Sequence, residues 1–401
     1  MTGDLAANAS PRVLFYSHDT YGLGHLRRSR ALATAITQAD SRISALILTG
    51  SPIAGRFPFP DNVDHIRLPG VTKTPDGDYE SERLGLHIDE TTALRAGLIK
   101  ATVEHFDPDI LIVDKEPTGF RGELLPALEW LKSKRKAHLV LGLRDVLDAP
   151  NVLAAEWDRK GALEAAEKYY DETWVYGLRS IYDPVAGLDL SQNFRARMKY
   201  TGYLHREALS EGDTPEQPYI LVTPGGGGDG AGMVDLVLSA YEQDPDLSPR
   251  ALLVYGPFLS GDVRAEFEER VAKLDGRVQA VGFESRMETL MKGAAGIVSM
   301  GGYNTFCEVL SFDKPVVIVP RTRPRMEQHI RASRAESLGL VRMLDEQRDG
   351  FTPNAMIAAI RALPQQPKPS HAFVPGLLDG LDVVSERTLA MLGVARSQGA
   401  A

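Results

Sequence analysis

The chain has 401 residues, of which 43% are hydrophobic and 25% charged, and its formal net charge is −9. This length predicts two domains of roughly 100–200 residues each, and the negative charge argues against a nucleic-acid partner. The single cysteine, Cys307, excludes an intramolecular disulfide, which is typical of a reducing compartment such as the cytoplasm. We find neither a signal-peptide pattern at the N-terminus nor an apolar run of about 18 residues that would predict a membrane span.

Short apolar runs alternate with helical segments through the first half of the chain. The predicted strands are residues 12–17, 44–49, 63–68, 109–113, 137–143 and 172–175, and the predicted helices are residues 26–38 and 91–105. The polar stretch 69–85 predicts a long loop or lid. This alternation indicates a parallel sheet covered by helices on both faces.

The same alternation restarts after the polar stretch 210–217, which we interpret as a linker. Strands are predicted at residues 219–223, 251–255, 278–281, 296–299 and 315–319, and helices begin at Met233 and span 286–292 and 304–311. A proline-rich connector at 364–369 precedes a final helix at about 381–392. We therefore predict an N-terminal domain of residues 1–208, a C-terminal domain of residues 209–380, and a terminal helix within 381–401.

Each half opens with a strand, a glycine-containing loop and a helix. Ligands of open α/β sheets bind outside the carboxyl ends of the strands. Two such sheets facing each other predict one cleft that brings two reactants together.

The second half carries a glycine run at residues 223–232, between a strand and a helix. Gly225, Gly226 and Gly227 let the backbone approach a diphosphate, and the start of the following helix offers free N–H groups and a favourable dipole. A nicotinamide site would also require an acidic residue at the end of the next strand, which here ends in Tyr255. A tight turn without a ligand is the other interpretation of this run.

The loop of the first half, residues 17–28, contains Gly22, Gly24, His25 and Arg28. The predicted start of a helix favours neutral imidazole at His25, which can take a proton from an attacking hydroxyl. Arg28 and its neighbour Arg27 are candidates to face a phosphate or an anionic acceptor. A capping or packing role is the alternative for His25. Asp114 and Glu116, which follow a predicted strand, are the second choice for a base.

A third motif, residues 299–308, is a strand end, a glycine turn and a helix. Its candidate binding residues are Gly301, Gly302, Asn304, Thr305 and Glu308. Asn304 and Glu308 are four residues apart and so share one helix face. A carboxylate one turn inside the helix can accept both ribose hydroxyls while the helix start faces phosphate. The alternative is that Glu308 is a surface charge.

A fourth motif, residues 320–332, leads from a strand through a polar loop into a helix. Glu327 and Gln328 are candidates for binding sugar hydroxyls, and the arginines Arg321, Arg323 and Arg325 for binding phosphate. The alternative is a solvated charged loop.

Together these motifs resemble the glycosyltransferases of family 28, the family of the lipid-intermediate N-acetylglucosaminyltransferase of peptidoglycan synthesis. The sequence Gly22-Leu-Gly24-His25 is similar to the acceptor-side loop of that family, and residues 301–308 are similar to its donor motif. The resemblance places Glu308 at the ribose, Gln328 at the donor sugar with Glu327 before it, and Phe283 beside the uracil. It covers residues 13–35 and about 219–340.

The resemblance implies a GT-B fold, an α/β architecture of two Rossmann-like domains whose parallel sheets face a central cleft. It implies a nucleotide-sugar donor, a UDP-sugar because UDP is the nucleotide of the family, and inverting, metal-independent transfer with His25 as base. The acceptor side is residues 1–208, and the terminal helix crosses back to it. The nine histidines show no zinc spacing, so we expect no metal and no other cofactor. A lipid-linked or polysaccharide acceptor of the cell envelope implies peripheral contact with the inner membrane face.

The chain departs from the family at residues 224–229, where Pro and four Gly precede Asp229 and the usual serine and glutamine are missing. The loop that starts at Gly24 also resembles that of a nucleotide-sugar hydrolase with the same fold. A hydrolase, an epimerase or a non-catalytic sugar-nucleotide sensor therefore stay open as alternatives.

Overall fold

The computed structural model describes residues 10–18, 24–74, 78–134, 136–208, 215–225, 228–256, 259–284 and 286–394. Three predicted site residues, Gly22, Gly226 and Gly227, lie outside the described residues, as does most of the predicted linker. Within the described ranges the chain forms two α/β units, each built on a parallel sheet.

The first unit contains nine strands and six helices within the described ranges. The strands are β1 (Arg12–Ser17), β2 (Ser44–Thr49), β3 (Val63–Arg67), β4 (Val71–Lys73), β5 (Tyr79–Ser81), β6 (Ile110–Asp114), β7 (His138–Arg144), β8 (Glu172–Tyr176) and β9 (Met198–Tyr200). The helices are α1 (Gly24–Ala39), α2 (Ile88–Phe106), α3 (Leu125–Lys134), α4 (Pro150–Lys160), α5 (Ala162–Tyr169) and α6 (Gln192–Arg197). Seven strands form a parallel sheet in the order β3-β2-β1-β6-β7-β8-β9.

The second unit repeats this plan with six strands. They are β10 (Tyr219–Thr223), β11 (Arg250–Val254), β12 (Val278–Val281), β13 (Gly296–Ser299), β14 (Val316–Ile318) and β15 (Arg342–Met343). The helices are α7 (Ala231–Gln243), α8 (Gly261–Ala272), α9 (Met287–Gly293), α10 (Tyr303–Ser311), α11 (Glu327–Ser337), α12 (Pro353–Ala362) and α13 (Gly380–Leu392). The parallel sheet has the order β12-β11-β10-β13-β14-β15. We propose that the domain boundary, at 208–209, falls between β9 and β10.

The central strands are apolar because helices cover both faces of each sheet. All five residues of β6 and all five of β10 are buried. One apolar cluster contains residues of both units, among them Leu26 of α1, Tyr203 and Phe306 of α10. Helix α13 packs against α1, and Arg387 of α13 donates a hydrogen bond to the Glu172 carboxylate at 2.8 Å.

The predicted long loop at 69–85 is wrong in part, because β4 and β5 form an antiparallel hairpin there. The backbone pairing extends one residue beyond the two strands, since Glu82 N donates to Gly70 O at 3.0 Å. Backbone pairing of this kind needs no apolar run, which explains why the polar composition hid it.

Both sheets change winding direction at their centre. Strand β1 lies between β2 and β6, and β10 lies between β11 and β13. The carboxyl ends of these strands are the topological switch points at which open α/β sheets bind ligands. The start of α1 and the residues that follow β10 and β13 line one cleft.

Candidate active site

The cleft between the two units has a volume of about 520 Å³. The first unit contributes residues of α1, of the β4 hairpin and of the end of β7, while the second contributes the loops after β10 and β13 and the start of α11. A cleft of this volume lies in the range of small-molecule sites.

Three charged side chains meet where β1 and β6 end. Asp114 Oδ2 lies 2.5 Å from His25 Nδ1, and the guanidinium of Arg28 donates to both carboxylate oxygens of Asp114 at 2.6 Å. Because the carboxylate accepts the Nδ1 proton, the neutral imidazole carries its acceptor lone pair on Nε2. Asp114 thus fixes the orientation of the ring that lines the cleft.

The Asp114 carboxyl is ionised in this cluster. Burial alone would raise its pKa, but the charges of Arg28 and His25 outweigh that effect and hold the pKa well below its usual range. Glu116, the other candidate base, pairs instead with Lys115 and Lys160, at 3.2 and 3.1 Å, so the structure does not join it to His25.

Helix α10 starts directly after a glycine turn and exposes its first N–H groups at Gly302 and Tyr303. Asn304 connects this helix to the first unit, since its Nδ2 donates to Gly24 O at 3.0 Å and its Oδ1 accepts from Arg206 at 3.0 Å. Thr305 also lines the cleft.

Glu308 is buried one turn further along α10, and only one of its carboxylate oxygens is bonded within the described residues. Arg27 donates to Oε1 and also bonds Glu288 at 2.8 Å, whereas Oε2 is buried without a partner. Burial raises the pKa of Glu308, and the Arg27 charge opposes this rise. An unpaired buried carboxylate oxygen is costly unless a ligand donates to it.

A chain of ion pairs lines the opposite wall. Arg321 bonds both Asp229 and Glu327, the latter at 2.8 Å, and its backbone N–H donates to Gln328 Oε1 at 3.1 Å. Glu327 Oε2 is buried without a partner among the described residues. Burial raises the pKa of Glu327, whereas the charges of Arg144 and Arg321 lower it. The resulting pKa lies below the usual value for a glutamate.

The glycines after β10 and β11 allow two loops to touch. Gly225 and Gly256 have φ values of +91° and +89°, and a Cβ on Gly256 would lie 2.6 Å from Gly225 O. Only glycine fits such a close approach of two backbones. The loop therefore presents bare main chain to the cleft, beside Phe283 on the adjacent wall.

Residues 220–372 match the family model described as Glycosyltransferase family 28 C-terminal domain. The chain is a glycosyltransferase whose second unit carries a family 28 C-terminal domain. The match covers the unit that carries Gly225, Glu308 and Gln328. No curated protein matches the sequence of this transferase.

Solved structures show the same fold at low sequence identity. A UDP-glucosyltransferase from Polygonum tinctorium is 14% identical with a TM-score of 0.62, over 96% of this chain and 99% of that one. A putative UDP-N-acetylglucosamine 2-epimerase from Listeria monocytogenes is 14% identical with a TM-score of 0.60, over 96% of each chain. MurG from Acinetobacter baumannii is 12% identical with a TM-score of 0.54, over 97% and 96%. These likenesses establish the GT-B fold for the transferase.

The structure brings eleven predicted site residues of the transferase to the cleft wall, namely Gly24, His25, Arg28, Gly225, Phe283, Gly302, Asn304, Thr305, Glu308, Glu327 and Gln328. Gly301 does not line the cleft. With a φ of +72° and a Cβ position 2.7 Å from Ile318, it shapes the turn before α10.

Cleft residues that the sequence motifs did not indicate include Phe57, Lys73, Arg144 and Asp229. Arg144 is the last residue of β7, so the rule that ligands meet the carboxyl ends of strands was the available signal. Asp229 lies inside the glycine run, in which only the glycines were interpreted as ligands.

The described residues hold no group of three or more His, Cys, Asp or Glu side chains arranged to bind a metal ion. Nor does any helix in the described ranges have the length and apolar character needed to cross a membrane.

Proposed function

We propose that the transferase moves a sugar from a UDP-sugar to an acceptor hydroxyl with inversion and without a metal ion. The proposal rests on one observation. His25, which is hydrogen-bonded to Asp114, and Glu308, whose Oε2 has no partner among the described residues, line the same cleft. One group is suited to activate an acceptor, and the other to hold a donor. The two come from different units, as transfer between two substrates requires.

The donor binds the second unit in this proposal. Ribose hydroxyls donate to Glu308 Oε2, while Arg27 keeps Oε1 in place. The diphosphate lies at the N-terminus of α10 and against the bare backbone of Gly225. Glu327 and Gln328 accept from sugar hydroxyls, and the uracil lies near Phe283.

The acceptor hydroxyl attacks the anomeric carbon from the side opposite the diphosphate. Nε2 of His25 takes the hydroxyl proton as the new C–O bond forms, and the bond from the anomeric carbon to the β-phosphate oxygen breaks. UDP leaves with the electron pair of that bond. Asp114 stabilises the imidazolium that results, since its carboxylate is already ionised and hydrogen-bonded.

Fixed protein dipoles and cations stabilise the leaving diphosphate in this scheme. The helix start at Gly302 and the guanidinium of Arg321, which is held by Asp229 and Glu327, are in place before the reaction, so little reorganisation accompanies bond cleavage. Activity is therefore expected to be unchanged by excess EDTA, measured as UDP release.

We also propose that the acceptor meets the first unit, where Phe57 and Lys73 line the cleft. The proposal includes a lipid-linked or polysaccharide acceptor of the cell envelope or an exopolysaccharide, reached in the cytoplasm or at the inner face of the membrane. UDP release measured separately with lipid-linked and with polysaccharide acceptor fractions distinguishes the two acceptor classes.

Hydrolysis or epimerisation of the nucleotide-sugar is the alternative on this scaffold. The Listeria neighbour named as a UDP-N-acetylglucosamine 2-epimerase superposes with a TM-score of 0.60, so the fold alone favours neither reaction.

Incubation with a panel of UDP-sugars, with and without acceptor, tests the proposal. We expect UDP release that depends on acceptor and a product of inverted anomeric configuration by NMR. Stoichiometric UDP release without acceptor would assign hydrolysis, and a new UDP-sugar without UDP release would assign epimerisation.

A further inference from the structure

Arg144 is a cation in the wall of the cleft that has no ion-pair partner among the described residues. It ends β7 and lines the cleft, and its Nε is buried without a hydrogen-bond partner in the same part of the chain. Across the described residues, its guanidinium makes no ion pair, whereas Arg27, Arg28, Arg321 and Arg325 all do.

The two carboxylates that act on Arg144 most strongly are each bonded to another arginine. Glu327 accepts from Arg321 at 2.8 Å. Asp145, the next residue in the chain, accepts from Arg331 at 2.7 and 2.6 Å. Neither carboxylate is therefore bonded to Arg144, which lines the cleft.

The surroundings of Arg144 disfavour its charge. Burial lowers the pKa of Arg144 the most; Glu327 opposes this effect, and Arg28 and Arg331 add to it. An arginine nevertheless stays protonated in proteins. A buried charge of this kind is stabilised only when a counter-charge reaches it, and the open side of Arg144 is the cleft.

We propose that Arg144 binds an oxyanion, a carboxylate or phosphate group, carried by the donor sugar or by the acceptor beside the reacting hydroxyl. The inference rests on the proposed function, because it uses the position of Glu327 at the donor sugar. Asp145, which follows Arg144 in the chain, is bonded to Arg331 of α11, the helix that begins with Glu327 and Gln328. Glu327 is also the strongest opposite charge that acts on Arg144. We therefore assign Arg144 to the sugar end of the cleft.

The donor source is tested by calorimetric titration with UDP, UDP-glucose and UDP-glucuronic acid, which differ in the sugar and in one carboxylate. If the donor carries the anion, the wild type binds UDP-glucuronic acid about 10-fold more tightly than UDP-glucose, as expected for a charge-assisted pair. Arg144→Gln abolishes this preference and leaves UDP affinity unchanged. Arg144→Lys retains part of it.

The acceptor source is tested with the protein saturated with UDP and titrated with inorganic phosphate or with free glucuronate. If the acceptor carries the anion, one of these binds the wild type saturably and binds Arg144→Gln about 10-fold more weakly. Arg325→Gln is the matched control, since Arg325 lines the same cleft but is engaged by Asp148 and Glu156. It should preserve the anion preference.

A second readout does not need a ligand. Because Arg144→Gln removes a partly buried charge that has no ion-pair partner among the described residues, the unliganded variant should unfold at a higher temperature than the wild type, and Arg325→Gln at a lower one. The inference is overturned if UDP binds both proteins equally and neither anionic probe distinguishes Arg144→Gln from the wild type. Failure of the wild type to bind UDP would instead overturn the proposed function.

Discussion

Asp114 accepts hydrogen bonds from both His25 and Arg28, so one carboxylate orients the imidazole while a fixed cation keeps that carboxylate ionised. The side chain of Arg28 is 2% exposed, and that of Asp114 is 7% exposed. Water therefore screens this pair weakly. The chemistry proposed for His25 depends on this arrangement more than on the histidine alone.

Asp114→Asn should separate binding from turnover. An asparagine amide can donate to Nδ1 and stabilise the tautomer in which Nε2 is protonated. We expect acceptor-dependent UDP release to fall roughly 10²–10⁴-fold with UDP affinity unchanged. Glu116→Gln is the control, and a larger loss in that variant than in Asp114→Asn would reverse the assignment.

The same pair makes stability depend on pH. The folded pKa of Asp114 lies below its unfolded value, so the pair stabilises the fold at neutral pH and this contribution is lost as pH falls below about 4 towards the folded pKa. The melting-temperature gap between the wild type and Asp114→Asn should therefore be largest near pH 7 and shrink towards pH 3. Asp64→Asn, at a side chain that is 89% exposed, should show no such trend. A gap that grows on acidification would contradict this account.

The variant Glu308→Gln tests the proposed donor-binding site. The amide replaces the ionised acceptor proposed for ribose, and a charge-assisted hydrogen bond contributes roughly 1.5–3 kcal/mol. We expect UDP to bind about 10- to 100-fold more weakly by calorimetry. Glu288→Gln removes the other partner of Arg27 and should weaken UDP binding much less. Equal effects in the two variants would mean that Arg27, not Glu308, governs binding.

At the scale of elements, the loops after β10 and β11 depend on two glycines that permit a backbone contact. Gly225 and Gly256 both have positive φ. Their loops form the part of the cleft in which we place the diphosphate. The positive φ of Gly225 and Gly256 and the close approach of their two loops thus explain why glycine occurs at these positions.

Gly256→Ala should disturb this contact. The added Cβ would lie 2.6 Å from Gly225 O, and a non-glycine residue at this φ is strained by about 1–3 kcal/mol. We expect a lower melting temperature and weaker UDP binding. Gly232→Ala, on helix α7 with no atom within 4 Å of the added Cβ, should raise stability slightly. Identical behaviour of the two variants would remove the case for a required glycine.

Sequence reasoning found the elements that carry strong local signals. The predicted strands at 12–17, 44–49, 219–223, 278–281 and 296–299 are confirmed with the same bounds. Four of them are short, mostly buried apolar runs, and β12 is an edge strand with one buried residue. Helices α4 and α5 were not predicted. Helix α5 buries Ala162, Ala165, Ala166 and Tyr169 at helical spacing, but a stripe made mostly of alanine gives only a weak apolar signal in the sequence. The pairing of His25 with Asp114, 89 residues apart, follows from the strand order and could not be deduced from spacing.

At the scale of the whole molecule, buried ion pairs connect the two units across the cleft. Arg331 of α11 is fully buried and bonds Asp145 of the first unit, and it also donates to Gly301 O at 3.0 Å. Met326 N donates to Asp148 Oδ1 at 3.1 Å. These contacts, together with Arg27 and Glu308, hold the described conformation with the units in contact.

Arg331→Gln should loosen this connection. Removing one partner leaves the Asp145 charge buried, which costs about 3–5 kcal/mol. We expect a lower midpoint of denaturant unfolding and separate transitions for the two units. Arg348→Gln, at an exposed pair with Glu336, should change little. A single transition at the wild-type midpoint in Arg331→Gln would contradict the connecting role.

A crystal structure of the protein soaked with UDP tests the central claim most directly. We predict electron density for the nucleotide in the cleft, with its ribose on Glu308 Oε2 and its diphosphate at the start of α10 beside Gly225. An empty cleft at saturating UDP, or a nucleotide bound with no contact to Glu308, would contradict the donor site on which the proposed reaction depends.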